Sequence, residues 1–294
     1  MSYGAWIMLT GSLVGVSCGI IGCFLILRKM AMLADAISHT VLLGIVLAYL
    51  VSHSLEGIYM LVGAGIIGLL TAFLVQVLHS SGVQSDAAIG VVFTSLFAFG
   101  VILLSAFASK VHLDVNHALM GEITFIPWNT LTIGGVDLGP SAVWMLGSVL
   151  VINLILILTF YKEIKISSFD PAMATAIGIP VMFIHYLLMS MVSITTVASF
   201  DSVGAILVVA MLIVPGATAY LLTDKLLVML IISAGVGVVA AIGGYYSAVA
   251  WNISISGSMA SIAGMIFAIT FILSPRHGLL SKVIARKGII ADQP

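Results

Sequence analysis

Charge is the first thing this sequence lacks. Of 294 residues, 10 are lysine or arginine and 11 are aspartate or glutamate, 7% in all. Soluble domains carry roughly a quarter charged residues, so this chain has too little polar surface to cover a globule in water. The net charge of −1 excludes a basic nucleic-acid binder and an acidic disordered tail. Two cysteines exclude a disulfide scaffold. Cys18 and Cys23 would point about 140° apart on a helix, so they form neither a mutual disulfide nor a zinc-finger half-site and read as small packed residues. Catalytic motifs are missing as well. The chain has no Gly-x-x-x-x-Gly-Lys-Ser/Thr loop, no His-Glu-x-x-His and no Ser/His or Asp/Asp pair set up for catalysis. An enzyme is not expected here.

What fills the space is apolar. Hydrophobic residues make up 62% of the chain, and mean hydropathy is +1.28. Runs of about 20 apolar residues recur, each long enough to span a hydrocarbon core of about 30 Å. The candidate spans are Ala5–Leu27, Ala31–Ser52, Gly57–Leu78, Ala87–Phe107, Ser141–Tyr161, Val181–Ser199, Ser202–Leu222, Leu226–Ala250 and Ser256–Leu273. The first has no basic n-region and ends in Arg28-Lys29, so it reads as a span rather than a cleavable leader. No composition shift divides the chain. The expected fold is an all-α polytopic membrane protein of about 8–9 transmembrane helices in one integral domain over residues 1–294, because broken helices would imitate an extra crossing.

The basic residues orient it. With the N-terminus outside, Arg28, Lys29, Lys162, Lys165, Lys225, Arg276, Lys282, Arg286 and Lys287 face the cytoplasm and only Lys110 does not. Without the span Ser202–Leu222, everything downstream flips and the tally falls to four inside against six outside. The outer loop is then 109–140, and the inner connectors are 161–180 and 219–226. In the first connector, Asp170 as N-cap, Pro171 at the first helical position and Gly178 as terminator predict a short helix. Ala219–Lys225, after Pro215, is the second short apolar connection. Both suit contact with a cytoplasmic partner, and both suit plain interfacial connectors.

Ionisable groups inside a span cost about 2.5–3.5 kcal/mol on insertion scales. The second span holds the clearest case, Ala34-Asp35-Ala36-Ile37-Ser38-His39-Thr40. Asp35 and His39 are i and i+4, about 40° apart on one helix face. A carboxylate and an imidazole at that spacing bind one divalent cation together, and such mixed oxygen–nitrogen ligation suits manganese, iron or zinc better than calcium or magnesium. The other reading is a structural Asp–His hydrogen bond or an interfacial aspartate. Weaker signals are spread elsewhere. Asp201 reads as an outer turn or cap, His185 as interfacial, and Asn153 as an interhelical hydrogen bond. Ser190, Ser193, Thr195, Thr196 and Ser199 line an aqueous path or bond back to their own helix. His112, Asp114, His117, Glu122 and Trp128 in the outer loop offer a metal-collecting or docking surface, or an interfacial segment.

These residues also carry a resemblance. Leu27-Arg28-Lys29-Met30-Ala31-Met32-Leu33-Ala34-Asp35-Ala36-Ile37-Ser38-His39 resembles the signature of the ABC-type metal-ion permeases for manganese, zinc and iron. Ser85-Asp86-Ala87-Ala88-Ile89-Gly90-Val91-Val92-Phe93, Ser168-Phe169-Asp170-Pro171, Val203–Pro215 and Phe271–Gly278 are similar to further stretches of that family. Asn116–Glu122 is most similar to the manganese-importing branch. The resemblance implies an ABC importer permease fold in a bacterial cytoplasmic membrane. It implies as partners a second permease subunit, a cytoplasmic ABC ATPase and an extracellular metal-binding lipoprotein, with no permanently bound cofactor. The cargo it implies is manganese, with zinc or iron next. Matched residue by residue, Asp35 and His39 are the metal-contacting pair, and Ala219–Leu226 is preferred over Asp170–Gly178 as the coupling element. Many relatives carry proline four residues after the histidine, whereas this chain has Leu43-Gly44, so a kink there is not assured. A proton-coupled secondary metal carrier is the alternative.

Overall fold

The structure, a computed structural model, describes residues 2–53, 57–107, 123–133 and 136–274. Among these, nine helices are long and apolar enough to cross a membrane. In chain order they are α1 (Tyr3–Leu27), α2 (Met32–Ser52), α3 (Gly57–Ser80), α4 (Ser85–Phe107), α5 (Ser141–Thr159), α8 (Val181–Val203), α9 (Ala205–Leu222), α10 (Leu226–Trp251) and α11 (Ile255–Leu273). Two short helices, α6 (Tyr161–Phe169) and α7 (Pro171–Ala176), link α5 to α8. The spans read from hydropathy match these helices to within a few residues at each end.

The bundle is built around α1. Apolar side chains gain nothing by leaving lipid for protein, so helix association relies on close packing and polar contacts. The α1–α10 seam meets that need with small residues in antiparallel register. A Cβ on Gly15 would lie 2.8 Å from the carbonyl carbon of Gly237, so neither position has room for a side chain. Along the same seam Ser233 Oγ donates to the Gly19 carbonyl at 2.8 Å. On the other side of the bundle, Thr71 Oγ1 of α3 donates to Thr40 Oγ1 of α2 at 2.9 Å, and Gly44 of α2 lies against Gly63 and Ala64 of α3. α9 and α11 run parallel, tied at one end by Ser256 Oγ to the Val203 carbonyl and at the other by Ser274 Oγ to the Leu221 carbonyl.

Two expectations need correction. Span six does not end at Ser199. α8 continues through Ser202 to Val203, and the break falls at Gly204, with φ 80° and ψ 164°. That backbone region is open almost only to glycine. Ala219–Leu222 is no separate element either. It is the last turn of α9, with Ala219 fully buried, because the helix runs unbroken past Pro215 and stops only at the extended Thr223. The described part of the 109–140 loop holds a 3-10 turn, Ile123–Trp128, that leads into an antiparallel hairpin of β1 (Thr130–Ile133) and β2 (Val136–Pro140). The Tyr3 hydroxyl at the start of α1 donates to the Thr124 carbonyl and ties that turn to the bundle.

The capped connector forms as read. Asp170 accepts a hydrogen bond from the Met173 N–H at 2.9 Å, Pro171 sits in the first turn, and Gly178 closes the stretch at φ 84°. Met173 and Ile177 are exposed on it.

Candidate metal site

α2 positions the two sequence-predicted ligands. Asp35 occupies its first turn, where a carboxylate complements the positive end of the helix dipole. His39 follows one turn later, on the same face. His39 Nε2 stands 3.5 Å from Asp35 Oδ1, and the two side chains are 34% and 38% exposed. That separation is longer than the 2.7–2.9 Å of a well-made charged hydrogen bond, so each group keeps lone pairs free for a third party.

Both groups open onto a cleft of about 390 Å3. α2 contributes Asp35, Ser38 and His39, and α9 supplies an apolar wall of small and branched residues including Ala205, Val209 and Ile213. Ser38 Oγ already donates to the Asp35 carbonyl at 2.7 Å, which leaves its oxygen as an acceptor. Behind the imidazole, α4 places Phe93 and Phe97, with ring centroids 5.3 and 5.9 Å from that of His39. These rings limit where the imidazole can swing. α2 stays helical through Leu43-Gly44, and Leu43 packs against Gly100 of α4, so the absence of proline leaves His39 on an unbroken helix face. Among the described residues no third histidine, cysteine, aspartate or glutamate joins the pair.

The remaining sequence candidates do not converge on this cleft. Asn153 of α5 donates to Thr195 Oγ1 of α8 at 2.7 Å, the interhelical bond expected of it. The hydroxyls of α8 serve packing: Ser190 bonds back to the Tyr186 carbonyl, Ser193 reaches the Gly65 carbonyl, and Ser199 meets Cys18 Sγ. Asp201 falls in the last turn of α8. His185 is 8% exposed and lies against Arg28 near the start of α8. Lys110, His112, Asp114, His117 and Glu122 lie outside the described residues, as do the motif Asn116–Glu122, the end of the closing motif from Pro275 onward, and the C-terminal basic residues from Arg276. Sequence reasoning missed Phe93, Phe97 and the α9 wall as parts of the site. The i, i+4 spacing of the phenylalanines puts them on one face of α4, but nothing local says which helix that face meets.

A family model described as the ABC 3 transport family matches residues 2–274. The chain belongs to the ABC 3 transport family. Its relatives within that family include the manganese transport system membrane protein MntD of Bacillus subtilis (strain 168), 67% identical over 96% of both chains. Another is the zinc transport system membrane protein TroD of Treponema pallidum (strain Nichols), 43% identical over 97% of this chain and 78% of that one. Among solved structures, PsaBC from Streptococcus pneumoniae in complex with Fab superposes at a TM-score of 0.78. It is 33% identical and matches 96% of this chain and 95% of that one. This ABC 3 family member is a multi-pass bacterial membrane protein with the fold of a transporter permease.

Proposed function

We propose that this chain is the membrane-spanning permease subunit of an ATP-driven importer of a divalent transition metal, manganese first and zinc or iron next. The observation that carries the reading is the Asp35/His39 pair on one face of α2, open to the cleft against α9. The manganese relative at 67% identity favours that metal as cargo, and the zinc relative keeps the second open.

Two donors do not complete the coordination shell of a transition-metal ion, which takes four or more. A second permease subunit facing the cleft with its own carboxylate–imidazole pair supplies the rest. Metal handed over by an extracellular binding lipoprotein enters between the two subunits, loses water to Asp35 and His39, and leaves inward when the pair of subunits changes its opening. Ionised Asp35 and neutral His39 are the competent forms, so protons compete with metal at this site.

The driving chain is a cytoplasmic ATPase, docking at the basic end of the bundle. Of the two inner connectors, α7 is the better grip: it stands clear of the spans with Met173 and Ile177 exposed, whereas Ala219–Leu222 is absorbed into α9. The residues 109–140 face the outside in this arrangement.

Uptake of manganese in cells with ATP held constant and the proton gradient collapsed tests the reading. Continued uptake, with a phosphate-loop ATPase copurifying in mild detergent, is expected. Uptake that stops with the gradient would replace the reading with a proton-coupled carrier.

A further inference from the structure

Arg28 follows the last residue of α1, and its guanidinium makes three side-chain contacts, none of them to a carboxylate. Nε donates to Ser168 Oγ at 3.2 Å, Nη2 donates to Ser167 Oγ at 2.8 Å, and Nη1 faces His185 Nδ1 at 3.3 Å. A guanidinium has five N–H groups and no acceptor, so Nδ1 is the acceptor and the proton of the neutral imidazole sits on Nε2. That Nε2 is buried and has no acceptor among the described residues. His185 as a whole is 8% exposed. Two guanidinium N–H groups are also left over once these three bonds are counted.

Arg28 lines a cavity of about 730 Å3 between the inner ends of α1, α3 and α8 and the α6–α7 connector. Lys29, Gln76, His79, Ser168 and Thr175 line it along with Arg28 and His185, and no aspartate or glutamate does. Among the described residues no carboxylate pairs with Arg28. Burial pushes its guanidinium down to about 10, which leaves it cationic at neutral pH. A half-buried cation with N–H groups to spare and no carboxylate beside it is costly unless an anion pairs with it.

We infer that this cavity is a phosphate-group site, filled by the headgroup phosphate of an anionic phospholipid or by free inorganic phosphate. The phosphate oxygens accept from the remaining Arg28 N–H groups, and Lys29 adds charge at the rim. Met30, Ile179 and Met182 form an apolar flank beside the polar wall. That combination matches a headgroup with its acyl chains alongside, as in basic pockets between transmembrane helices. The site is separate from the Asp35/His39 cleft and stands or falls without the metal reading.

The test uses the full-length chain in detergent, examined by native mass spectrometry with phosphatidylglycerol or phosphatidylcholine, and by 31P NMR titration with inorganic phosphate. The expected result is preferential retention of phosphatidylglycerol, reduced about tenfold or more in Arg28→Gln, since charge-assisted bonds of this kind are worth about a factor of ten each. Arg28→Lys restores part of it. Thr175 is exposed on α7, so Thr175→Glu puts a carboxylate at the cavity mouth without disturbing the core. It is expected to abolish retention even if Arg28→Gln fails to fold. Binding of inorganic phosphate without lipid preference assigns the site to the free anion. Equal retention of both lipids with no phosphate binding, or retention untouched by Arg28→Gln and Thr175→Glu, overturns the inference.

Discussion

Asp35 Oδ1 and His39 Nε2 face each other across 3.5 Å on one face of α2, with about a third of each side chain open to the cleft. A buried structural Asp–His bond would be shorter, and the wider, open spacing here supports the proposed shared-cation reading. Asp35→Asn and His39→Ala are each expected to cut manganese uptake by at least the ~10–100-fold that loss of an outer-shell partner costs a metal site. Membrane insertion and elution in detergent should not change. Wild-type uptake by either folded variant removes the pair from the transport path.

Protons should compete with metal at the same pair. Metal binding to the purified chain is expected to weaken steadily as pH falls, with release of protons on binding at fixed pH. Affinity that is flat with pH would mean that neither group is a ligand.

Gly204 is expected to tolerate no side chain. At φ 80° and ψ 164° an alanine costs about 1–3 kcal/mol, and the strain falls where α9 begins to wall the cleft. Gly204→Ala should lower the thermal midpoint in detergent and slow uptake together. A variant with unchanged midpoint and uptake would show that the break adjusts freely.

The α1–α10 seam gives a contrast within one residue type. Gly15→Val pushes into the Gly237 backbone, and overpacking of this kind costs about 1–3 kcal/mol. At Gly147 of α5 an added Cβ would meet nothing within 4 Å, so Gly147→Ala should be neutral or slightly stabilising. Thermal unfolding of the two variants side by side decides it, and equal midpoints would discard the seam as the close contact.

The exposed apolar residues of α7 should matter for the proposed ATPase partner rather than for the fold. Met173→Glu and Ile177→Glu alter side chains with no buried role, so the purified chain should remain stable while the copurifying ATPase is lost. Retention of the ATPase by the double variant would move the docking surface elsewhere on the basic end.

Much of this architecture is encoded locally. Every span is a mostly apolar run of 18 to 26 residues, about enough to cross a bilayer core, and backbone groups in lipid must be satisfied within the segment, so hydropathy alone specifies a helix at each place. The Asp35/His39 pair was legible for a related reason: i, i+4 geometry is fixed by the helix itself. The Asp170-Pro171 cap is equally local, and it forms as expected. The misreadings come where two strong local signals adjoin. Hydropathy dips at Asp201-Ser202, but only the backbone at Gly204 shows where α8 yields to α9.

Which helix lies beside which is a different matter. With apolar side chains no happier in protein than in lipid, the pairing of α1 with α10 rests on glycines over 200 residues apart coming to the same depth. His39 is named by the sequence, but its neighbours Phe93, Phe97 and the α9 wall are chosen by packing. The same holds for Arg28. In the sequence it is one basic residue that orients the chain in the membrane. Only the tertiary structure brings it to Ser167, Ser168 and His185, because those contacts join segments about 140 to 160 residues away, and no local pattern encodes a distance of that kind.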